Sequence, residues 1–481
     1  MNRRMVVFLL SRIMVIEAVL MLPSVLVGVI YREAASWCFL PSIGALGLLG
    51  LFGIKKPKNT AIYAREGFLT VALAWVFMSL FGAVPVWLSG KFNSFFDCFF
   101  EIVSGFTTTG ASILSAVEEL PHCMMFWRSF SHWVGGMGVL VFVLAVMPMS
   151  EERSMHLMRA EVPGPNVGKL VPRMRDTAKI LYGVYTAMTV ALILLLWAGG
   201  MPFFDSVCHA FGAAGTGGFS IKNSGIAFYN SAYIDVVLSV FMILFGVNFS
   251  LYHLILIGKV KNALKSEELN AYLGIIAAAV LLIAVNTFSI YRNVGLTLRN
   301  AFFQVSSIIT TTGYATVDFD AWPAFSKMIL VMLMMIGACA GSTGGALKVS
   351  RIVILFKSAR QEVRRLLHPR AISVVRMEGE PINDALIRTT LSFFLMYMGF
   401  LAFGTLLLSL DEADFTTNFT AAVACLGNIG PGLGKIGPTL NYSFYSGWAK
   451  VLLSFEMLAG RLELFPVIIL FSPLTYRQSF K

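Results

Sequence analysis

Recurrent apolar runs constrain this chain more than any other feature. Stretches of membrane-crossing length stand at residues 13–31, 34–54, 67–89, 129–150, 180–204, 236–258, 271–291, 328–347 and 389–410. A tenth, 451–471, carries Glu456, Arg461 and Glu463. Each is near the ~20 residues that a helix needs to cross hydrocarbon. Of 481 residues, 57% are hydrophobic and 13% charged, about half the charged share usual in soluble domains. Ten spans of an all-α polytopic membrane protein are expected. Six scattered Cys show neither CxxC nor zinc-ligand spacing and read as small packing residues.

Between spans lie four shorter segments, FDCFFEIVSGFTTTGAS, FDSVCHAFGAAGTGGFS, RNAFFQVSSIITTTGYA and TTNFTAAVACLGNIGPG. They align on Gly110, Gly218, Gly313 and Gly430. Thirteen residues before these glycines stand Asp97, Asp205, Asn300 and Thr417, all of which suit a helix N-cap. The chain therefore reads as four tandem units of span, short helix, glycine loop and span. Their expected limits are 55–165, 166–265, 266–370 and 371–481, with two extra helices over 1–54.

With the N-terminus inside and ten alternating spans, Lys and Arg favour the inner side by about three to one, as the positive-inside rule requires. The net charge of +11 then reports orientation. The basic residues are dispersed among loops, which argues against nucleic-acid binding. Both termini are expected to be cytoplasmic, and all four glycine loops to enter from outside.

A short helix of about ten residues reaches roughly 15 Å, half of the ~30 Å core. Its C-terminal end carries partial negative charge, and four such ends on one axis would stabilise a cation. The turns that follow are Thr107, Thr108, Thr109 and Gly110; Gly215, Thr216, Gly217 and Gly218; Thr310, Thr311, Thr312 and Gly313; and Gly427, Asn428, Ile429 and Gly430. None is acidic, so coordination by backbone carbonyls is expected rather than by carboxylates. The ion sites are expected at Thr108, Thr109, Thr216, Gly217, Thr311, Thr312, Asn428 and Ile429.

These segments, with GSTGGALKVSR (341–351) and MLAGRLELFP (457–466), resemble the bacterial Trk-type potassium-uptake membrane subunits of the Trk/Ktr/HKT superfamily. The resemblance covers essentially the whole chain. It implies a pseudo-fourfold pore in each monomer and a homodimer in the bacterial cytoplasmic (inner) membrane. It implies K⁺ as the transported ion and a cytosolic TrkA-like regulatory ring that binds NAD(H) or ATP/ADP. In that family a Ser at the first filter glycine accompanies sodium preference in some plant members, so Gly110 favours K⁺ over Na⁺.

Gly337, Gly341, Gly344 and Gly345, with Ser342 and Thr343, crowd one end of the 328–347 run. Four helical glycines would cost about 1 kcal/mol each against Ala. Either they permit close helix packing or the helix breaks into an intramembrane loop. The resemblance makes that loop a gate below the filter. Arg461, costly inside a span, either pairs with Glu456 or Glu463 or hydrogen-bonds the loop's carbonyls, as its family counterpart does. Lys348 and Arg351 either flank the loop or serve only the positive-inside rule. Glu17 and His132 are expected to make hydrogen bonds in helix packing. Na⁺- or H⁺-coupled symport is the alternative to a pore. Neither HExxH nor GxxxxGK[ST] occurs, and no enzymatic activity is expected.

Overall fold

The computed structural model describes residues 2–53, 55, 57, 64–138, 174–370, 374–471 and 473. Helices α1 (Arg3–Ile30) and α2 (Phe39–Phe52) precede four units. The first holds α3 (Ala64–Leu88), α4 (Phe95–Phe106) and α5 (His122–Gly136). The second holds α6 (Met174–Ala198), α7 (Phe203–Ala214), α8 (Ala232–Phe245) and α9 (Phe249–Leu256). The third holds α10 (Glu267–Tyr291), α11 (Val294–Ile309), α12 (Ala324–Ile336) and α13 (Val349–Leu367). The fourth holds α14 (Asp384–Leu408), α15 (Phe415–Leu426), α16 (Gly447–Arg461) and α17 (Phe465–Phe471). Each repeat thus follows a 25-residue helix with a shorter one of 12 to 16 residues. A two-residue antiparallel ribbon, Arg376–Met377 with Glu380–Pro381, is the one sheet among the described residues.

Burial is inverted relative to a soluble domain. The long helices turn large apolar side chains outward, such as Val285 (72% exposed) and Leu395 (69%). The short helices α4, α7, α11 and α15 bury Ser104, Ser206, Ser306, Ser307 and Thr420 at the centre. Such a pattern fits hydrocarbon outside and a polar axis within. All six cysteines are free, and five are buried.

Four of the ten expected spans do not run on as a single straight helix. Among the described residues, six helices are long and apolar enough to cross a membrane, and the α8–α9 pair passes the same test only as two helices taken together, bent by 91° at the break. The run 328–347 ends as helix at Ile336, and 451–471 breaks after Arg461. The run 129–150 ends as helix at Gly136, and its part beyond 138 lies outside the described residues. Close packing against the short helices explains two of the breaks. A Cβ on Gly135 would lie 1.8 Å from the Phe106 carbonyl oxygen, and one on Gly460 2.0 Å from that of Leu426.

The expected N-caps are corrected too. Ser94, Pro202 and Asp414 cap three of the short helices, three residues earlier than Asp97, Asp205 and Thr417. Asn293 caps the longer α11, so Asn300 lies inside it. Asp97 instead pairs with Lys450 at 2.7 Å. Glu17 is also corrected: it is fully buried and, among the described residues, neither carboxylate oxygen has a hydrogen-bond partner.

Asp414 accepts from the Thr417 amide at 3.1 Å and from its hydroxyl. The hydroxyl bond leads the effects that hold the Asp414 carboxyl below its usual range. A depressed folded-state pKa stabilises above the unfolded value of about 3.9, and the gain is lost as pH falls through the folded value. Asp414→Ala is expected to cost about 1 kcal/mol at neutral pH. Thermal unfolding in detergent should show that difference shrinking in acid.

Candidate functional site

The four short helices end alike. In the first, the Thr108 amide donates to Gly105 O (3.1 Å) and the Thr109 amide to Ser104 O (2.9 Å). The same bonds run from Thr216 to Ala213 and Gly217 to Gly212, from Thr311 to Ile308 and Thr312 to Ser307, and from Asn428 to Cys425 and Ile429 to Ala424. This is the Schellman pattern, whose C′ residue must be left-handed and is usually Gly. Here it is Thr108 (φ 55°), Thr216 (55°), Thr311 (58°) and Asn428 (55°). Left-handed Thr is uncommon, and it recurs at one register position in three repeats.

Two residues on, Gly110, Gly218, Gly313 and Gly430 also have positive φ, from 73° to 98°. A Cβ on Gly110 would lie 1.9 Å from Gly217 O, and one on Gly218 1.9 Å from Thr312 O. On Gly313 it would lie 2.1 Å from Ile429 O, and on Gly430 2.7 Å from Thr109 O. Each loop therefore touches the next, and the fourth returns to the first. The four turns expected from sequence thus close into one ring. Thr107 and Thr109 share a 2.8 Å hydroxyl bond, as do Thr310 and Thr312. Asn428 Nδ2 donates to Thr109 Oγ1 (3.0 Å) and Met457 O (2.9 Å), joining the last repeat to the first.

On one side of the ring opens a vestibule of about 300 Å³, lined by all four of these glycines and by Lys222, Asp318 and Tyr442 among others. On the other side lies the segment between α12 and α13, which runs from Gly337 to Lys348 without helix. The Gly345 amide donates to Thr311 Oγ1 at 2.7 Å. A Cβ on Gly345 would come within 2.2 Å of Gly427 O, and one on Gly344 within 3.0 Å of Thr310 O. The segment is thus pressed against the turns. Gly337, Gly341, Ala346 and Lys348 all have positive φ, which no continuing helix allows.

Arg461, 6% exposed, donates to Thr343 O (2.7 Å) and to Gly135 O and Gly136 O. It thereby ties the segment to the broken end of α5. Glu463 pairs with Arg351 at 2.6 Å, and among the described residues the Glu456 oxygens have no hydrogen-bond partner. Lys348, 1% exposed, donates to Gly344 O. Ser342 donates to Cys339 O (2.6 Å) and Thr343 to Phe245 O (3.3 Å).

Sequence reasoning missed Glu268. Its carboxylate, 7% exposed, accepts from the amide of Ala340 within the segment (2.7 Å) and from that of Ser350 in the first turn of α13 (3.0 Å). The apolar run starts only at 271, which puts Glu268 outside the expected span. The unbroken α-helix from Glu267 carries it inward. His132 makes the expected kind of bond: its Nδ1 donates to Gly105 O (2.7 Å), and its Nε2 accepts from the Phe219 amide (3.2 Å).

Gly345→Ala is expected to push the segment off the Gly427 carbonyl, at a cost of about 1–3 kcal/mol. A lower melting temperature in detergent should show this.

A sequence model described as TrkH, cation transport protein, matches residues 45–291 and 275–479. The chain is 35% identical over 460 residues to the Trk system potassium uptake protein TrkH of Salmonella typhimurium, covering 94% of this chain and 95% of that one. It is 32% identical over 500 residues to the TrkH of Halomonas elongata, covering 99% and 100%. Among solved structures it matches the crystal structure of the potassium transporter TrkH from Vibrio parahaemolyticus. The TM-score is 0.90 at 31% identity, over 99% of this chain and 100% of that one. With four like repeats, the same fold and matches that span nearly its whole length, the chain belongs to the TrkH family of cation transport proteins.

Proposed function

We propose that this chain takes up potassium through a pore on the axis of the four loops. One observation supports the reading above all: each filter glycine abuts a carbonyl of the next repeat, in a closed cycle of four. Such a ring offers oxygen dipoles in place of a hydration shell, and the absence of acidic side chains from the turns suits a monovalent cation. K⁺ is coordinated at Thr108, Thr109, Thr216, Gly217, Thr311, Thr312, Asn428 and Ile429. Each unit, 55–165, 166–265, 266–370 and 371–481, supplies one quarter.

The segment around 337–348 gates this pore from the side opposite the vestibule. Arg461 holds it closed through Thr343 O and places a fixed positive charge near the ion path, which repels cations. Two copies assemble in the bacterial inner membrane with cytoplasmic termini. A cytosolic TrkA-like ring that binds NAD(H) or ATP/ADP moves the gate. The alternative is Na⁺- or H⁺-coupled symport. In its favour stands Glu456, 2% exposed and, among the described residues, without a hydrogen-bond partner on either oxygen, on the helix packed against α15.

Purified protein in liposomes should carry ⁸⁶Rb⁺ down a gradient, and absence of flux with and without the regulatory ring would sink the pore reading. Gly110→Ser should lower Rb⁺ over Na⁺ discrimination by about tenfold, the factor for roughly 1.4 kcal/mol of lost preference. Arg461→Ala, or deletion of 338–344, should raise basal flux several-fold. Reduced flux in folded protein would count against a barrier.

A further inference from the structure

We propose that one side chain on each short helix braces the filter strand from behind, and that these braces set ion selectivity. The proposal rests on the filter reading given above. Nine residues before the filter glycine stand Glu101, His209 and Gln304, all fully buried. Each reaches the strand just beyond its own glycine. Glu101 accepts from Ser112 Oγ (2.9 Å) and the Ile113 amide (3.0 Å). His209 Nδ1 donates to Asp205 O (2.8 Å), which leaves Nε2 to accept from Ser220 Oγ (3.2 Å). Gln304 Nε2 donates to Thr316 Oγ1 at 3.3 Å.

The fourth repeat has Ala421 at that position and Gly432 where the first two have Ser112 and Ser220. Thr420, one residue earlier, takes over and accepts from the Leu433 amide at 3.0 Å. A carboxylate, an imidazole, an amide and a hydroxyl thus hold equivalent strands in the four repeats. The first brace is the most elaborate. Glu101 also accepts from Arg128 Nε (2.8 Å), and both side chains are nearly inaccessible. The Arg128 guanidinium lies 4.0 Å over the Phe219 ring and donates to Ser220 O (3.4 Å). One buried pair therefore fastens the outgoing strands of two filters.

Ser112, Ser220 and Thr316 line the vestibule, while their partners stand behind them. A carbonyl ring discriminates between ions only if it resists closing on the smaller one. A hydrogen bond beyond the last glycine resists that collapse without touching the ion. These are positioning residues.

Glu101→Gln would leave Arg128 buried beside a neutral partner, so the test uses the isosteric change Thr316→Val. The full-length protein in liposomes is assayed for ⁸⁶Rb⁺ and ²²Na⁺ flux. Thr316→Val and Gln304→Leu should each lower the Rb⁺/Na⁺ ratio by about fivefold, the factor for one neutral hydrogen bond, with Rb⁺ flux retained. Thr316→Ser, which keeps the hydroxyl, should restore the ratio. Thr390→Val, whose hydroxyl bonds only its own helix, should leave it unchanged. An unaltered ratio in Thr316→Val, with Gly110→Ser altered, overturns the braces alone. If Gly110→Ser is also silent, the filter reading falls with them.

Discussion

A backbone that leaves its helix at membrane depth must find partners for every amide and carbonyl, and this constraint governs the rest of the structure. The short helices meet it with the same closing pattern four times, each made by two amides folding back onto the preceding turn. That pattern demands a left-handed residue, and the chain supplies Thr or Asn where Gly is usual. Thr at this position costs backbone energy, yet its hydroxyl is useful. Thr311 Oγ1 receives the Gly345 amide, a bond that glycine could not make.

The same constraint bears on two of the runs that break. Gly135 and Gly460 pass so close to the ends of α4 and α15 that a methyl group would overlap a carbonyl oxygen. At the end of α5 the last carbonyls are taken up by a buried cation. Arg461 receives Gly135 O and Gly136 O together with Thr343 O. Its guanidinium suits this role because it presents several donors in a fixed plane. Glu268 answers from the opposite sign, holding the Ala340 amide within the 337–348 segment and the Ser350 amide just beyond it. Charges inside the protein thus serve irregular backbone, where the alternative is an unmet polar group.

Much of this is legible in the linear chain, and the failures have physical causes. Gly110, Gly218, Gly313 and Gly430 can be aligned because positive φ is a local demand that narrows residue choice. The glycine cluster at 337–345 points to a break, since four such residues destabilise a helix. The caps are expected too late because Asp97, Asp205 and Thr417 suit a first turn as well as a cap, and composition does not separate the two. The runs 129–150 and 451–471 read as continuous because the close packing of Gly135 and Gly460 against another helix leaves no mark on hydrophobic run length. For Arg461 the chain allows two readings, and the choice turns on where Glu463 points; it pairs with Arg351.

By itself, the sequence determined the solvent, the number of repeats and the residues at each turn. These follow from hydrophobic run length and from conformational limits felt within a few residues. The order in which the four loops close, the carbonyl each glycine meets and the partners of Arg461 were decided only by tertiary structure. They join residues about a hundred or more positions apart, and nothing in a linear pattern says which repeat stands beside which.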